Sequence, residues 1–306
     1  MSRSQQPPTL DPRAAARSAA RPGPAPWLHE EVARRMAERL AWITLPVRRW
    51  AHWSPRHGGM EGHALVAARF PQAEALGVPA GEVPVPSAPP RPWWHPARWA
   101  GTGQTAHRPP MLAAPPEGSL DMVWANMLLH RVADPAALLA DWHRALAING
   151  FVMFSGLGPD TLRSLRRLYA RLGWPPPAHE FTDMHDWGDM LLAAGFAEPV
   201  MAMERLTLTF DSAERALQEL RGLGRNMHRQ RFHGLRTAAW RQRLLAEMDA
   251  ALRPGGPGTP LALEFELIYG HALKPAARLP VTQETAIGID TLRSHLRQRR
   301  TGPAPD

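Results

Sequence analysis

Apolar positions along the chain follow two different periods. Between Trp27 and Trp42 every fourth residue is apolar and the intervening positions are largely charged. This spacing predicts an amphipathic helix that buries Leu28, Val32, Met36 and Leu40. Leu120–Ala125 and Phe151–Ser155 are instead compact apolar runs, as expected for parallel strands covered on both faces. Helical and strand-like segments alternate along the chain, which indicates an α/β fold with right-handed crossovers.

Capping and turn residues delimit the other elements. Asp134-Pro135 places an N-cap carboxylate before a proline at the first helical position, and predicts a helix through Ala147. Asp211 and Glu214 similarly resemble a capping box. Further helices are predicted at Glu61–Phe70, Asp160–Leu172, Asp186–Ala194, Asp211–Gly222 and Thr237–Leu252. Further strands are predicted at Ala73–Val78, Glu198–Phe210 and Leu261–His271.

Three stretches carry no regular pattern. Residues 1–26 are rich in Pro, Arg and Ala and are expected to form a flexible arm, and residues 276–306 a trailing tail. Residues 79–118 contain 11 prolines and three tryptophans. Because proline is excluded from central strands, one interpretation is an eroded, partly disordered segment. The other is a Trp-bearing docking loop. A single domain is therefore expected over residues 27–275.

Composition excludes several kinds of chemistry. The chain has no cysteine, which rules out disulfides, zinc–thiolate sites and iron–sulfur clusters. Its 14 histidines include no H-x-x-x-H pair with a carboxylate, so no metal site is predicted. No apolar run reaches the roughly 18 residues of a membrane helix, and the first 26 residues have no apolar segment typical of a secretory signal. We therefore expect a cytoplasmic protein without a membrane partner.

The formal net charge of +8 raises the question of an acidic partner. Lys274 is the only lysine, and the arginines are spread through an Ala- and Pro-rich chain, as expected from a compositional bias. No nucleic-acid-binding motif is recognisable, so nucleic acid is not an expected partner. An acidic protein, such as an acyl carrier protein, suits the same charge through electrostatic steering.

The segment Ser119–Leu165 contains the sequence FSGLGPDTLRSL and resembles the second half of class I S-adenosylmethionine-dependent methyltransferases. Within that superfamily it is similar to the malonyl-acyl-carrier-protein O-methyltransferases of biotin synthesis. The resemblance implies a Rossmann-like fold with a mostly parallel sheet, an antiparallel last strand and a helical lid insertion over residues 211–255. It also implies S-adenosyl-L-methionine as cofactor and an acyl carrier protein as partner.

The resemblance also points to the residues that would meet the cofactor. The glycine-rich turn of the family aligns with WAHWSPRHGG, where His52 replaces the acidic residue and Ser54, Arg56 and Gly58 stand at the glycine positions. Arg56 would direct a long side chain to where the methionine moiety sits. Pro79 stands where a ribose-binding carboxylate is expected. The implied cofactor residues are His52, Gly58, Gly59, Ala125 and Asn126.

These substitutions predict weak cofactor binding. Each hydrogen bond lost from a charged acceptor weakens binding by about 1.5–3 kcal/mol, so two missing anchors weaken it by roughly two to four decades. We therefore expect a dissociation constant of about 100 μM or worse for S-adenosyl-L-methionine.

The implied substrate residues are His130, Arg221 and Arg225. The two arginines belong to LRGLGRN in the lid, and arginine can form a bidentate pair with a substrate carboxylate or a phosphopantetheine phosphate. Structural roles remain open for the same residues: Asn126 as a turn cap, His130 as a packed polar residue, and the arginines as solvated charges at a helix end. No catalytic side chain is recognisable, and a carboxylate substrate is already a nucleophile.

Three functions therefore remain open at this point. The first is a carboxyl O-methyltransferase that depends on S-adenosyl-L-methionine and binds it poorly. The second is a non-catalytic pseudo-methyltransferase that binds a protein or acyl-carrier partner. The third is a protein similar to the respiratory-complex assembly factors built on this scaffold, one of which resembles an arginine hydroxylase.

Overall fold

The computed structural model describes residues 9–21, 23–81 and 109–276, and its elements lie in one compact unit, Met1–Pro275. Within the described residues a six-stranded sheet has the order β2-β1-β3-β4-β6-β5. The strands are β1 Arg49–Trp53, β2 Glu74–Val78, β3 Leu120–Ala125, β4 Leu146–Leu157, β5 Ala197–Phe210 and β6 Leu261–Leu273.

Helices follow most of these strands in the chain. They are α1 Pro12–Ala19, α2 Trp27–Leu40, α3 Pro55–Gly58, α4 Met60–Arg69, α5 Pro135–Ala145, α6 Arg163–Arg171, α7 Met184–Ala193, α8 Ala213–Leu223 and α9 Ala238–Ala251. A 3-10 turn, Leu129–Arg131, lies between β3 and α5.

The strand directions confirm the expected fold class. Strands β2, β1, β3 and β4 are parallel, and β6 is antiparallel between β4 and β5. Leu120–Ala125 and Phe151–Ser155 are neighbours, with Met122 beside Phe151. Leu261–His271 runs antiparallel beside Glu198–Phe210, which confirms the antiparallel last strand that the resemblance implies.

Both faces of the sheet are covered by helices. On one face Trp50, Trp124 and Phe151 pack against α2, α6 and α9. On the other face Trp142 of α5 and Trp187 of α7 form the core with the alternate strand residues. This division follows from the two-residue period of a strand, which sends successive side chains to opposite faces.

The N-terminal residues contain a helix that the sequence analysis does not predict. Asp11 N-caps α1 by accepting hydrogen bonds from the N–H groups of Arg13 and Ala14, and Pro12 occupies the first helical position. Leu10 and the alanines of α1 pack with Met227. The flexible-arm expectation therefore does not hold for this part of residues 1–26, and residues 1–8 and 22 lie outside the described residues.

A short segment of the Pro-rich stretch pairs with the sheet beyond β2. The N–H of Gly77 donates to the carbonyl of Pro110 (2.9 Å), and the N–H of Leu112 donates to the carbonyl of Gly77 (2.8 Å). Met111 thereby forms a parallel bridge with Gly77. The two interpretations of residues 79–118 concern mainly residues 82–108, which lie outside the described residues.

Three predicted helix starts are wrong by two or three residues, and one of them is α7, which begins at Met184 and not at Asp186. The helix predicted from Asp160 begins at Arg163, because Leu162 adopts a left-handed conformation with φ of 55°. The cap of α8 is Ser212, whose Oγ accepts a hydrogen bond from the N–H of Arg215 (3.2 Å), and not Asp211. The error at α8 arises because Asp211 and Ser212 are adjacent and both are residue types that cap helices.

Two glycine-to-alanine substitutions test the packing between the last strands and α7. A Cβ at Gly270 of β6 would lie 2.5 Å from Cε1 of buried Phe154, so Gly270→Ala should lower the free energy of unfolding by about 1–3 kcal/mol through overpacking. A Cβ at Gly188 of α7 would meet only Met201, at 3.9 Å. Gly188→Ala should therefore raise the free energy of unfolding by about 0.5–1 kcal/mol, because alanine favours the helix. Urea denaturation measures both changes, and changes of the same sign would contradict this packing.

Candidate functional site

The turn after β1 lies at the carboxyl edge of the parallel strands. Ser54 adopts a left-handed conformation with φ of 59°, and its N–H donates to the carbonyl of Val78 at the end of β2 (2.7 Å). Helix α3 then leads to Gly59, whose φ of 103° is accessible to glycine without steric strain. The chain thus turns from β1 into α4 at the edge where open α/β sheets bind ligands.

His52 is buried beneath this turn. Its ring stacks on His63, with the ring centroids 5.5 Å apart and the planes 9° apart. Neither ring nitrogen has a hydrogen-bond partner among the described residues. Burial, together with the neighbouring His63, holds the pKa of His52 well below its usual value, so its imidazole is uncharged. His52 therefore belongs to the interior of the domain.

The Asn126 side chain joins four parts of the site. Its Nδ2 donates to the carbonyl of His29 in α2 (2.7 Å) and to the carbonyl of Gly58 in the turn. Its Oδ1 accepts a hydrogen bond from Oγ of Ser155 in β4 (2.6 Å), and that Oγ accepts one from the N–H of Met127. Asn126 is 1% exposed, and both amide hydrogens are engaged by the protein.

Glu30 of α2 occupies the N-terminus of α4. Its carboxylate accepts hydrogen bonds from the N–H groups of Met60 (2.9 Å), Glu61 (3.1 Å) and Gly62 (3.3 Å). A helix N-terminus of this kind binds anions through its free N–H groups and its dipole. Burial raises the pKa of Glu30. No local signal in the sequence indicates this contact, because it joins residues about thirty positions apart.

The two glycines of the turn make room for these side chains. A Cβ at Gly58 would lie 2.6 Å from Nε2 of His52, and a Cβ at Gly59 would overlap the Glu30 carboxylate. Both glycines therefore face the protein's own groups.

Arg56 does not direct its side chain toward a cofactor site as expected. Its Nε donates to the carbonyl of Gly23 (3.4 Å), and the side chain lines neither of the two cavities described next.

A first cavity, here named the strand-end cavity, has a volume of about 240 Å³. It lies over the carboxyl ends of β1 and β2, beside Ser54, His57 and Gly81, and the alanines of α1 form one wall. The segment Leu128–Asp134 forms another wall. The residues predicted to contact a cofactor do not line this cavity: His52, Gly58, Gly59, Ala125 and Asn126.

A second cavity, here named the lid cavity, has a volume of about 260 Å³ and is covered by the end of α8. All three residues predicted for substrate binding line it: His130, Arg221 and Arg225. Its other walls are mostly apolar and include Leu157, Leu162, Leu165 and Phe265. Arg131 lines both cavities, and its Nη2 donates to Oγ of Ser18 in the C-terminal part of α1 (3.1 Å).

Arg221 lines the lid cavity from within α8, and Arg225 lines it from the segment after this helix. Helix α8 ends at Leu223 and Gly224 is extended, so Arg221 and Arg225 do not share a helical face although they are four residues apart. Both side chains are nevertheless exposed at the same cavity. Desolvation, followed by the nearby charges of Arg21 and Arg221, lowers the pKa of Arg225.

The histidines of the lid cavity are uncharged. Burial, with Arg131 and His29 nearby, holds the pKa of His130 well below its usual value. The pKa of His179, whose Nε2 lies 2.8 Å from the carbonyl oxygen of His130, is lowered to about 4, mainly by burial.

Within residues 9–21, 23–81 and 109–276, no cluster of three His, Asp or Glu side chains could hold a metal ion. No helix in this part of the chain is long and apolar enough to cross a membrane.

Comparison with known proteins identifies close relatives of the chain. A methyltransferase-domain family matches residues 106–154. The malonyl-[acyl-carrier protein] O-methyltransferase of Gallionella capsiferriformans is 37% identical over 82% of this chain and 86% of its own length. The protein of the same name from Laribacter hongkongensis is 43% identical over 53% of each chain.

Solved structures resemble the chain more distantly. The YcgJ protein of Bacillus subtilis has a TM-score of 0.49 and 15% identity, over 81% of this chain and 100% of its own. A putative methyltransferase of Bacillus halodurans has a TM-score of 0.47 and 13% identity, over 80% of this chain and 100% of its own.

The buried histidines predict a stability that depends on pH. Burial lowers the pKa of His63 to about 4, below the value of about 6.5 in an unfolded chain. Between these values the unfolded state binds more protons, so stability is complete above about pH 6.5 and is lost as the pH falls toward 4. Each such histidine should contribute a slope of about 1.4 kcal/mol per pH unit.

His63→Gln should therefore reduce the slope of unfolding free energy against pH between 6.5 and 4.5. The matched control is His233→Gln, which replaces an exposed histidine of the lid. Denaturant unfolding at several pH values measures both slopes. Equal slopes for the two variants would mean that His63 is not held uncharged in the folded protein.

Proposed function

Because the chain belongs to the malonyl-[acyl-carrier protein] O-methyltransferase family, we propose that it methylates the free carboxylate of a malonyl group on acyl carrier protein. S-adenosyl-L-methionine is the proposed methyl donor. The observation that carries this proposal is the adjacency of the two cavities, which share Arg131 as a lining residue. Methyl transfer needs donor and acceptor sites that open onto one another, because the reacting atoms must approach in line.

The strand-end cavity fits the cofactor in position and in the chemistry of its walls. It lies over the carboxyl ends of parallel strands, and Leu128 and Val132 offer apolar surface for a base. Ser54, His57 and Asp134 supply polar groups. Its 240 Å³ is slightly below the roughly 300–1,000 Å³ of typical ligand pockets. The cofactor, when bound, supplies an electrophilic methyl group.

The lid cavity fits the acyl substrate. Arg221 and Arg225 are suited to hold a carboxylate or a phosphate by charge-assisted hydrogen bonds. The apolar walls exclude water from the acceptor carboxylate, which makes this carboxylate a better nucleophile. His130 remains uncharged and leaves the positive charge of the cavity to the arginines. No general base is required, since the acceptor is already ionised at neutral pH.

A specific observation also favours a non-catalytic relative that binds the carrier without turnover. The protein's own Glu30 carboxylate occupies the N-terminus of α4, and His52 fills the space beneath the turn. A cofactor anchored in this turn would compete with these groups. This second candidate predicts binding of malonyl-acyl carrier protein with no methyl ester formed.

Cofactor affinity is the first test. We expect a dissociation constant of about 100 μM or worse for S-adenosyl-L-methionine, because Pro79 stands directly after β2, where a ribose-binding carboxylate is expected. Pro79→Asp would restore that carboxylate and should tighten binding about 10-fold or more, whereas the uncharged control Pro79→Asn should not. Isothermal titration calorimetry measures the dissociation constants of the wild type and of both variants. Low-micromolar binding by the wild type would show that the missing anchors are not needed.

Turnover is the second test. The protein, S-adenosyl-L-methionine and malonyl-acyl carrier protein should yield the methyl ester, detected by mass spectrometry of the carrier. Arg221→Met and Arg225→Met should each lower kcat/KM by about 10- to 100-fold. Arg215→Met is the control, because Arg215 lies on α8, pairs with Glu219 (2.8 Å) and does not line the cavity. Carrier binding without any methyl ester, at saturating cofactor, would favour the non-catalytic alternative.

A further inference from the structure

The positive charge of the chain is concentrated in one segment of the lid. Residues 220–246 contain seven arginines and no Asp or Glu: Arg221, Arg225, Arg229, Arg231, Arg236, Arg241 and Arg243. Removing these seven from the formal net charge of +8 leaves +1 for the rest of the chain. A compositional bias toward arginine does not explain this distribution, because acidic residues balance the basic ones elsewhere.

Most of these arginines are not neutralised by the protein. Arg231 pairs with Asp11 of the α1 cap (2.6 Å). The other six have no carboxylate within salt-bridge distance among residues 9–21, 23–81 and 109–276. Arg241 and Arg243 of α9 are exposed. The segment therefore presents a positive potential that can attract an acidic partner.

An apolar platform lies within this charged segment. Leu235 is 98% exposed and Phe232 is 45% exposed, in the loop between α8 and α9. The guanidinium of Arg236 lies 3.7 Å from the ring centroid of Phe232 and 4.2 Å from that of Trp240. These contacts hold the loop against α9, so the exposed apolar groups are carried on an ordered surface.

The platform continues into the body of the domain. Trp240 packs on Trp174, with ring centroids 5.2 Å apart, and Arg243 lies over the same Trp174 ring at 5.6 Å. We name the surface formed by Phe232, Leu235, Arg236, Arg241 and Arg243 the basic lid patch. An apolar centre with charges around it is the usual composition of a protein-binding surface.

We propose that the basic lid patch docks the acidic protein that carries the acyl substrate, with Leu235 inserted between apolar side chains of that partner. This proposal rests on the proposed function. Trp174, which packs on Trp240, also contacts Tyr169 (ring centroids 5.3 Å apart), and Tyr169 lines the lid cavity, so a partner docked on the patch lies beside the cavity that its acyl group must enter. Charge complementarity raises the rate of encounter, and the apolar contact slows dissociation.

The test uses two double charge reversals that change net charge equally. Arg241→Glu/Arg243→Glu alters the patch. Arg48→Glu/Arg69→Glu is the matched control, because Arg48 precedes β1 and Arg69 ends α4, at the amino edge of the parallel strands and away from both cavities. All four positions are exposed or partly exposed surface arginines, so the melting temperatures of both variants should stay close to that of the wild type. Leu235→Ser tests the apolar contact without a change of charge.

The readout compares a carrier-bound substrate with a carrier-free one. With malonyl-acyl carrier protein, kcat/KM should fall at least 10-fold in Arg241→Glu/Arg243→Glu, several-fold in Leu235→Ser, and less than twofold in the control. With malonyl-coenzyme A as the carrier-free thioester, all variants should match the wild type. Equal loss on both substrates, or equal loss in the control, would overturn the docking proposal.

Binding separates this proposal from the proposed function. Surface plasmon resonance should detect acyl carrier protein on the wild type and the control, with weaker binding by both patch variants, even if no methyl ester forms with either substrate. The salt dependence of binding should be smaller for Arg241→Glu/Arg243→Glu and unchanged for Leu235→Ser. In that outcome the methyltransferase proposal fails and the docking surface stands. Identical carrier binding by the wild type and the patch variants would overturn the docking proposal, as would tighter binding of a single-stranded DNA oligonucleotide than of the carrier.

Discussion

The Asn126 amide is the constraint on which the site depends. It joins the carbonyls of α2 and of the turn after β1 to the hydroxyl of Ser155 in β4. Each buried carbonyl left without its donor would destabilise the fold by about 1–3 kcal/mol. Because these bonds fix α2 and the turn against the ends of β3 and β4, they also fix the position of Glu30 over α4. One buried side chain that lines neither cavity therefore positions the turn that borders the strand-end cavity.

The sheet and its main helices could be predicted from the sequence, since apolar period and capping residues act locally. Asp134-Pro135 marks the start of α5 as predicted. The same dipeptide at Asp11-Pro12 marks α1, yet the helix escaped prediction because its buried face is made of alanine and serine and carries little hydrophobic signal. The first residues of helices are less predictable. At α6, for example, left-handed Leu162 makes the helix begin at Arg163 and not at Asp160.

The site was predictable only in part, because its contacts join distant segments. Arg221 and Arg225 were predicted together from the LRGLGRN sequence, and they do meet at the lid cavity, but through a helix end and an extended Gly224 rather than a shared helical face. The sequence around Glu30 does not indicate that this residue caps α4, and the sequence around Gly23 does not indicate that its carbonyl binds Arg56. Such contacts depend on how α2 packs on the sheet, which no local pattern encodes.

The pairing of Gly77 with the Pro110–Leu112 segment has a consequence for the protein's behaviour at high concentration. An open edge strand offers unpaired N–H and C=O groups to the strands of other molecules and so promotes aggregation. Here both backbone groups of Gly77 are occupied, and the segment that occupies them includes Pro109 and Pro110, which have no N–H to offer in turn. The prolines that interrupt the regular pattern of the chain thus block pairing with another copy at Gly77, on the β2 edge of the sheet.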